Sequence, residues 1–230
     1  ANESHCFLFE SVTRGTRARY SFLGRNPQKI FTHSKGVTSV QFEGGPPQEV
    51  DTSFLKLLRT EQANFKVAPL EGFPSFTGGL VGYLGYETVQ FFEDIPVHEH
   101  SYEEGQDIPD SIFMFMQDLM VFDHNKNQVI VFTNTNIESH DEVYLRELYE
   151  KSHARIDEFG MSLHSNIEYQ LPRKLERSAM QSNMTQSEFE KSVCAAQEAI
   201  VDGELFQIVL SQRFHRRTKA EGCTIYRALR

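Results

Sequence analysis

The chain has 230 residues, 39% hydrophobic and 12% aromatic, enough for one large domain or two small ones. Lys+Arg 23 against Asp+Glu 32 leaves a formal net charge of −9 at pH 7, which argues against a nonspecific grip on nucleic-acid phosphates. No apolar run approaches a membrane span, Ala1–Ser4 is no secretion signal, and three widely spaced cysteines (Cys6, Cys194, Cys223) imply neither a disulfide framework nor a paired metal motif. A reducing, cytoplasmic setting is expected. With 19 phenylalanines and no tryptophan, the core must rest on phenylalanine and aliphatic residues.

From the amino terminus, His5–Phe9 and Arg19–Leu23 read as short strands, with a turn at Arg14-Gly15-Thr16 between them. Lys29–Thr32 and Val37–Phe42 supply two more, and Gly44-Gly45-Pro46-Pro47 ends the set, which reads as a compact antiparallel meander. Thr52–Arg59 reads as a short helix with Phe54, Leu55 and Leu58 inward. Next comes Gly78-Gly79-Leu80-Val81-Gly82-Tyr83-Leu84-Gly85-Tyr86-Glu87, where glycines interrupt an apolar run. Glycine adds nothing to a core, so its repetition here implies close backbone approach in a tightly packed strand and turn. The spacing has neither the dinucleotide fingerprint nor a Walker lysine, so phosphate binding is disfavoured. Thr88–Phe92 fits either a helix or a strand, and Glu93–Asp110 reads as an acidic surface loop.

Ile112–Met116 and Leu119–Phe122 form one long apolar segment, paired as a hairpin with Gln128–Phe132 across the Asp123–Asn127 turn, with both faces covered. Met114, Met116 and Met120 read as core fillers. Ser139-His140-Asp141-Glu142 has the form of a capping box opening a long helix, with Leu145, Leu148, Tyr149, Ser152, Ile156 and Phe159 on one stripe and Gly160 as the stop. Met161–Asn183 is polar and without a sustained period. A second box, Thr185-Gln186-Ser187-Glu188, opens a helix carrying Phe189, Val193, Ala196 and Ile200, ended by Gly203. Glu204–Phe214 then reads as a strand, and Thr224 can cap a last helix over Ile225–Arg230. A helix so short is marginal alone, so the sequence reads as part of something longer.

The architecture expected is α/β (α+β): layered antiparallel β-sheets with flanking helices, a truncated multi-element domain. Its division is 1–160, a linker at 161–184, and a helix-strand unit at 185–230. Chemistry-bearing groups are sparse. His98 and His100 beside Glu99, Glu103 and Glu104 alternate along a loop, a weak metal signal and better read as solvated residues. Ser211 has no histidine-acid order resembling a hydrolase elbow. Ser211 and Gln212 interrupt an apolar run ahead of Arg213, which fits a pocket wall facing a small anion. The same pattern also fits an edge strand with a wet polar face.

Four stretches carry the reading further. Phe7-Leu8-Phe9-Glu10-Ser11 resembles the Leu-Leu-Glu-Ser motif near the start of anthranilate synthase component I, and Arg19-Tyr20-Ser21-Phe22-Leu23-Gly24 is similar to its following R-Y-S-F-I-G strand. Gly78–Glu87 matches its G-G-x-x-G-Y-x-x-Y-D segment, with Glu87 in place of aspartate. Gly203–Phe214 resembles the G-D-I-F-Q-V-V-L-S-Q-R-F block that opens the chorismate-utilising domain. Order and spacing agree over nearly the whole chain.

The resemblance implies an amino-terminal regulatory domain followed by the first helix and strand of a catalytic domain. In that family chorismate and ammonia give anthranilate and pyruvate with Mg²⁺, and a glutamine amidotransferase partner supplies the ammonia. The carboxylate ligands for the metal lie in the family beyond position 230, so no catalytic or metal residue is expected here and the piece alone should be inactive. The positions that carry over are Glu10 and Ser11, matching the Glu-Ser that lines the feedback tryptophan pocket. Ser11 would bond the ligand and Glu10 would pair with its ammonium. Tyr20, Ser211 and Gln212 are candidate pocket-wall residues. Alternatives are the corresponding part of aminodeoxychorismate synthase component I, or a stand-alone ligand-binding or interaction module, which should not stop inside a helix.

Overall fold

The computed structural model describes residues 5–10, 19–68, 70–94, 108–164 and 178–230. The turn expected at Arg14-Gly15-Thr16 and the loop histidines His98 and His100 lie outside these. The strands are β1 (Cys6–Phe9), β2 (Tyr20–Arg25), β3 (Lys29–Ser34), β4 (Val37–Phe42), β5 (Pro47–Glu49), β6 (Gly79–Leu84), β7 (Ser111–Met116), β8 (Asp118–Asp123), β9 (Gln128–Thr133), β10 (Gln181–Ser182) and β11 (Phe214–His215). The α-helices are α1 (Phe54–Asn64), α2 (Glu142–Met161), α3 (Gln186–Val201) and α4 (Gly222–Leu229), with a 3-10 helix over Tyr86–Phe91. By its packing the chain divides into Ala1–Asn166 and Ile167–Arg230.

In the first unit, β1-β2-β8-β9 form one antiparallel sheet and β5-β4-β3-β7-β6 a second. The fold is thus layered antiparallel sheet with flanking helices. Alternation along each strand sends successive side chains to opposite faces. On β6, Val81 meets Phe7, Met116, Leu119, Val121 and Phe132 between the sheets, while its neighbour Leu80 meets Phe31, Phe54, Leu58 and Phe115 beneath α1. The other face of the first sheet is tied to α2: Arg155 Nη2 donates to Asp118 Oδ1 at 2.6 Å, and the Arg25 guanidinium lies 4.6 Å from the Phe159 ring centre.

Two sequence expectations change here. The amino-terminal strands are not one meander: β2 pairs with β8 and β3 with β7, so the chain changes sheets at Asn26-Pro27. Local hydrophobic pattern specifies strands but not partners. Likewise the apolar segment 112–122 breaks at Gln117, with β7 in the second sheet and β8 in the first. Side-chain parity slips there, because Met116 and Leu119 both face the inter-sheet core.

The helices show finer departures. Helix α1 runs on to Asn64 and buries Phe54, Leu58 and Glu61, while Leu55 is only half-buried. The cap of α2 is Asp141, whose carboxylate accepts from the Tyr144 amide at 3.0 Å, not Ser139, whose hydroxyl accepts from the Asp141 amide instead. A carboxylate next to the first turn also meets the positive end of the helix dipole. Gly160 does not stop α2, which reaches Met161, and Tyr149 is exposed on it.

In the second unit, Thr185 and Glu188 form the full reciprocal capping box of α3, and Gly203 follows with φ +78°, the left-handed geometry that ends helices. The expected strand 204–214 reduces to β11, paired with β10. Without a ladder partner, an apolar run has no hydrogen bonds to hold it as a strand. Glu221, not Thr224, precedes α4 as its N-cap residue.

Candidate functional site

Strands β1 and β6 are edge strands of the two sheets, and a cavity of about 360 Å³ opens beside them. It is lined by Phe9, Phe22, Phe76, Leu80, Val81, Gly82 and Phe113. The Phe22 and Phe76 rings meet edge to face, 5.6 Å apart at 71°. Gly82 is required by close approach: a Cβ there would fall on the Ile112 carbonyl oxygen and come 2.7 Å from the Phe113 Cα. This is the tight backbone contact that the glycine-rich stretch implies. The lining carries only aromatic rings, aliphatic groups and backbone, so the cavity suits a flat apolar ring system. Such a ring is held by area burial and by edge-to-face contacts.

Glu10 follows Phe9 directly at the end of β1 and is half-buried. It is the carboxylate nearest in sequence to the cavity wall. Ser11 lies outside the described residues. Tyr20 is half-buried against the inter-sheet core beside Phe22, with the Arg19 guanidinium 4.8 Å from its ring centre.

Around Tyr20 the polar groups lock the β8–β9 turn. Asp123, almost fully buried, accepts Arg19 Nη2 at 2.6 Å and Nε at 3.1 Å, and the Asn125 amide at 3.0 Å. These bonds, the arginine's foremost, hold its pKa down to about 2 despite burial. Ser21 Oγ and His124 Nε2 are 2.7 Å apart, but among the described residues no third group orients the imidazole in the manner of a catalytic triad.

In the second unit Ser211 is exposed, and Gln212 donates through Nε2 to Ser182 Oγ at 2.9 Å. The Arg213 amide donates to Asn183 Oδ1 at 2.9 Å. These bonds hold 211–213 against the segment leading into α3. Among the described residues no group of three or more His, Cys, Asp or Glu comes together as a metal site.

Residues 4–230 match the family described as chorismate binding enzyme. The chain belongs to this family. Within it, the chain is 32% identical over 231 residues to anthranilate synthase component 1 of Acetivibrio thermocellus, covering 99% of this chain and 46% of that protein. It is 31% identical to the enzyme of the same name from Saccharomyces cerevisiae, covering 97% and 42%. The chain spans about half the length of the curated relatives it matches. The crystal structure of anthranilate synthase component I from Streptococcus pneumoniae TIGR4 superposes with a TM-score of 0.73 over 96% of this chain and 47% of that one; at 23% identity it speaks to the fold.

The cavity is what sequence reading missed in this member of the chorismate binding family. Phe9 and Gly82 both stand inside motifs singled out from the sequence, but nothing in the spacing says that the ends of two different sheets meet there. A surplus of phenylalanine clustered around glycine was the one available signal.

Proposed function

We propose that this chain is the amino-terminal part of an anthranilate synthase component I, which converts chorismate and ammonia to anthranilate and pyruvate. The observation that carries this reading is likeness, over 97–99% of the chain, to anthranilate synthase component 1 of a bacterium and of fungi and to an anthranilate synthase alpha subunit of a plant. In this reading residues 1–160 form the regulatory domain, 161–184 the linker, and 185–230 the start of the chorismate-binding domain. A glutamine amidotransferase subunit delivers the ammonia, and the enzyme works in the cytoplasm. Mg²⁺, which the family resemblance implies, would be held by carboxylates that the described residues do not supply, and would contribute Lewis-acid chemistry there.

In this reading the role of the amino-terminal residues is feedback by tryptophan. Its indole fits a cavity lined by phenylalanine rings, the Glu10 carboxylate beyond Phe9 pairs with its ammonium, and the Ser11 hydroxyl bonds its polar end. Tyr20 supports the wall, and Ser211 and Gln212 are candidate pocket-wall residues of the second unit. Tryptophan binding an inactive state better than the active one shifts the population toward it, which gives inhibition.

The test is turnover by the full-length protein with chorismate and ammonium, resolving the products. Anthranilate and pyruvate support the proposal; aminodeoxychorismate without pyruvate moves the protein to the sister enzyme, and no turnover of chorismate rejects both. In the same assay Ser11→Ala should raise the tryptophan inhibition constant, and an unchanged constant removes Ser11 from the site.

A further inference from the structure

One titratable ring of the first unit has no part in the proposed reaction. His33, on β3, stands where α1, the 3-10 helix and β4 converge. Its ring centre is 5.0 Å from that of Phe91, edge-on, and 5.7 Å from that of Phe54, while Phe54 and Phe91 stack 6.4 Å apart. Its Nδ1 lies 3.0 Å from Thr38 Oγ1. The imidazole thus completes a ring cluster fastening both helical elements to the second sheet. We propose that His33 is a proton-operated latch: neutral, it holds α1 and the 3-10 helix on the sheet; protonated, it loosens them.

The chemistry follows from the partners. The bond to Thr38 survives protonation, because Nδ1–H can donate to the hydroxyl. The imidazole is half-buried against the Phe54 and Phe91 rings, so protonation places a charge in a partly desolvated, aromatic surrounding. Burial accordingly lowers the imidazole pKa, opposed by the Asp110 carboxylate.

Other charged groups on the neighbouring elements are already engaged or turned outward. Asp110 accepts the Lys35 amide at 2.9 Å, and Glu61 of α1 pairs with Lys29 at 2.6 Å. Lys56 and Arg59 of α1 are exposed, and Glu87 of the 3-10 helix has an interaction of its own. Tyr83 of β6 has its pKa raised by burial and by Asp110, so it stays neutral. β4 and β7 bring no ionisable side chain; Ser111, opposite His33 in register, offers a neutral hydroxyl.

A histidine whose folded pKa is lowered contributes stability above its ordinary 6.5 and loses it as pH falls through and below that value. The experiment is amide hydrogen exchange on the intact protein, corrected for the intrinsic rate, with NMR titration of the imidazole, in wild type and His33→Gln. From about pH 7.5 to about pH 5.5, opening of segments 54–64 and 86–91 should rise by up to about tenfold in wild type and stay flat in the variant. A flat wild-type response, an equal rise in the variant, or an imidazole titrating at or above its ordinary value overturns the latch. Should the variant not fold, wild-type opening must rise below the pH where free histidine titrates while the folded imidazole stays neutral; opening that does not respond there also overturns it.

Discussion

The two units of the chain start from equally clear local signals and end in different states. In the first, alternating apolar strands find partners and build two cores, with Phe31, Phe54, Met116, Leu119 and Val121 almost fully removed from solvent. In the second, the capping box of α3 is complete and the helix is well formed, yet none of the described residues 178–230 is buried. Phe206 is 98% exposed and Val209 84%. Secondary structure is therefore set by caps and periodicity within a segment, while burial is set by what is brought against it. The apolar faces of 186–214 show the sequence of a core without its packing.

That contrast can be broken most strongly by cutting into each unit in turn. Phe54→Ala removes a ring that touches both helical elements and the sheet, and should cost about 3–5 kcal/mol in chemical denaturation. Phe206→Ala removes as large a ring and should change stability by no more than about 0.5 kcal/mol, the smallest effect expected here. Similar losses from both would mean that Phe206 is in fact packed.

Gly82→Ala comes next, at about 1–3 kcal/mol, because the added carbon meets backbone that cannot swing aside. A neutral result would show that β6 can move away from β7. Acid sharpens the comparison further. Asp123 has a depressed pKa, so its contribution is complete above the ordinary carboxylate value of 3.8 and disappears as pH falls through about 2. The first unit should lose stability across that window, and Asp123→Asn should abolish that step. Near the end of the scale, Thr185→Ala should cost α3 about 1 kcal/mol, read as faster exchange in its first turn.

How much of this was legible in the sequence follows the same division. The strand at Val37–Phe42, the helix holding Phe54 and Leu58, and the Thr185 box with its Gly203 stop were readable because each depends on neighbours within a few residues. The change of sheet at Gln117 was not, since Met116 and Leu119 look alike whether the strand continues or turns a corner. Ser139 misled because two potential caps stand two residues apart and only Asp141 reaches the free amide. Of the candidate site, Glu10 and Ser11 came from the motif alone. The cavity that Phe9 lines depended on β1 and β6 meeting across residues far apart in sequence.

The measurement closest to the central claim is calorimetric titration of tryptophan and chorismate into this chain and the full-length protein, side by side. The account predicts that the full-length protein binds both, and that residues 1–230 alone bind tryptophan weakly and chorismate not at all. Equal tryptophan affinity in the two, or chorismate binding and turnover by residues 1–230 alone, would contradict it.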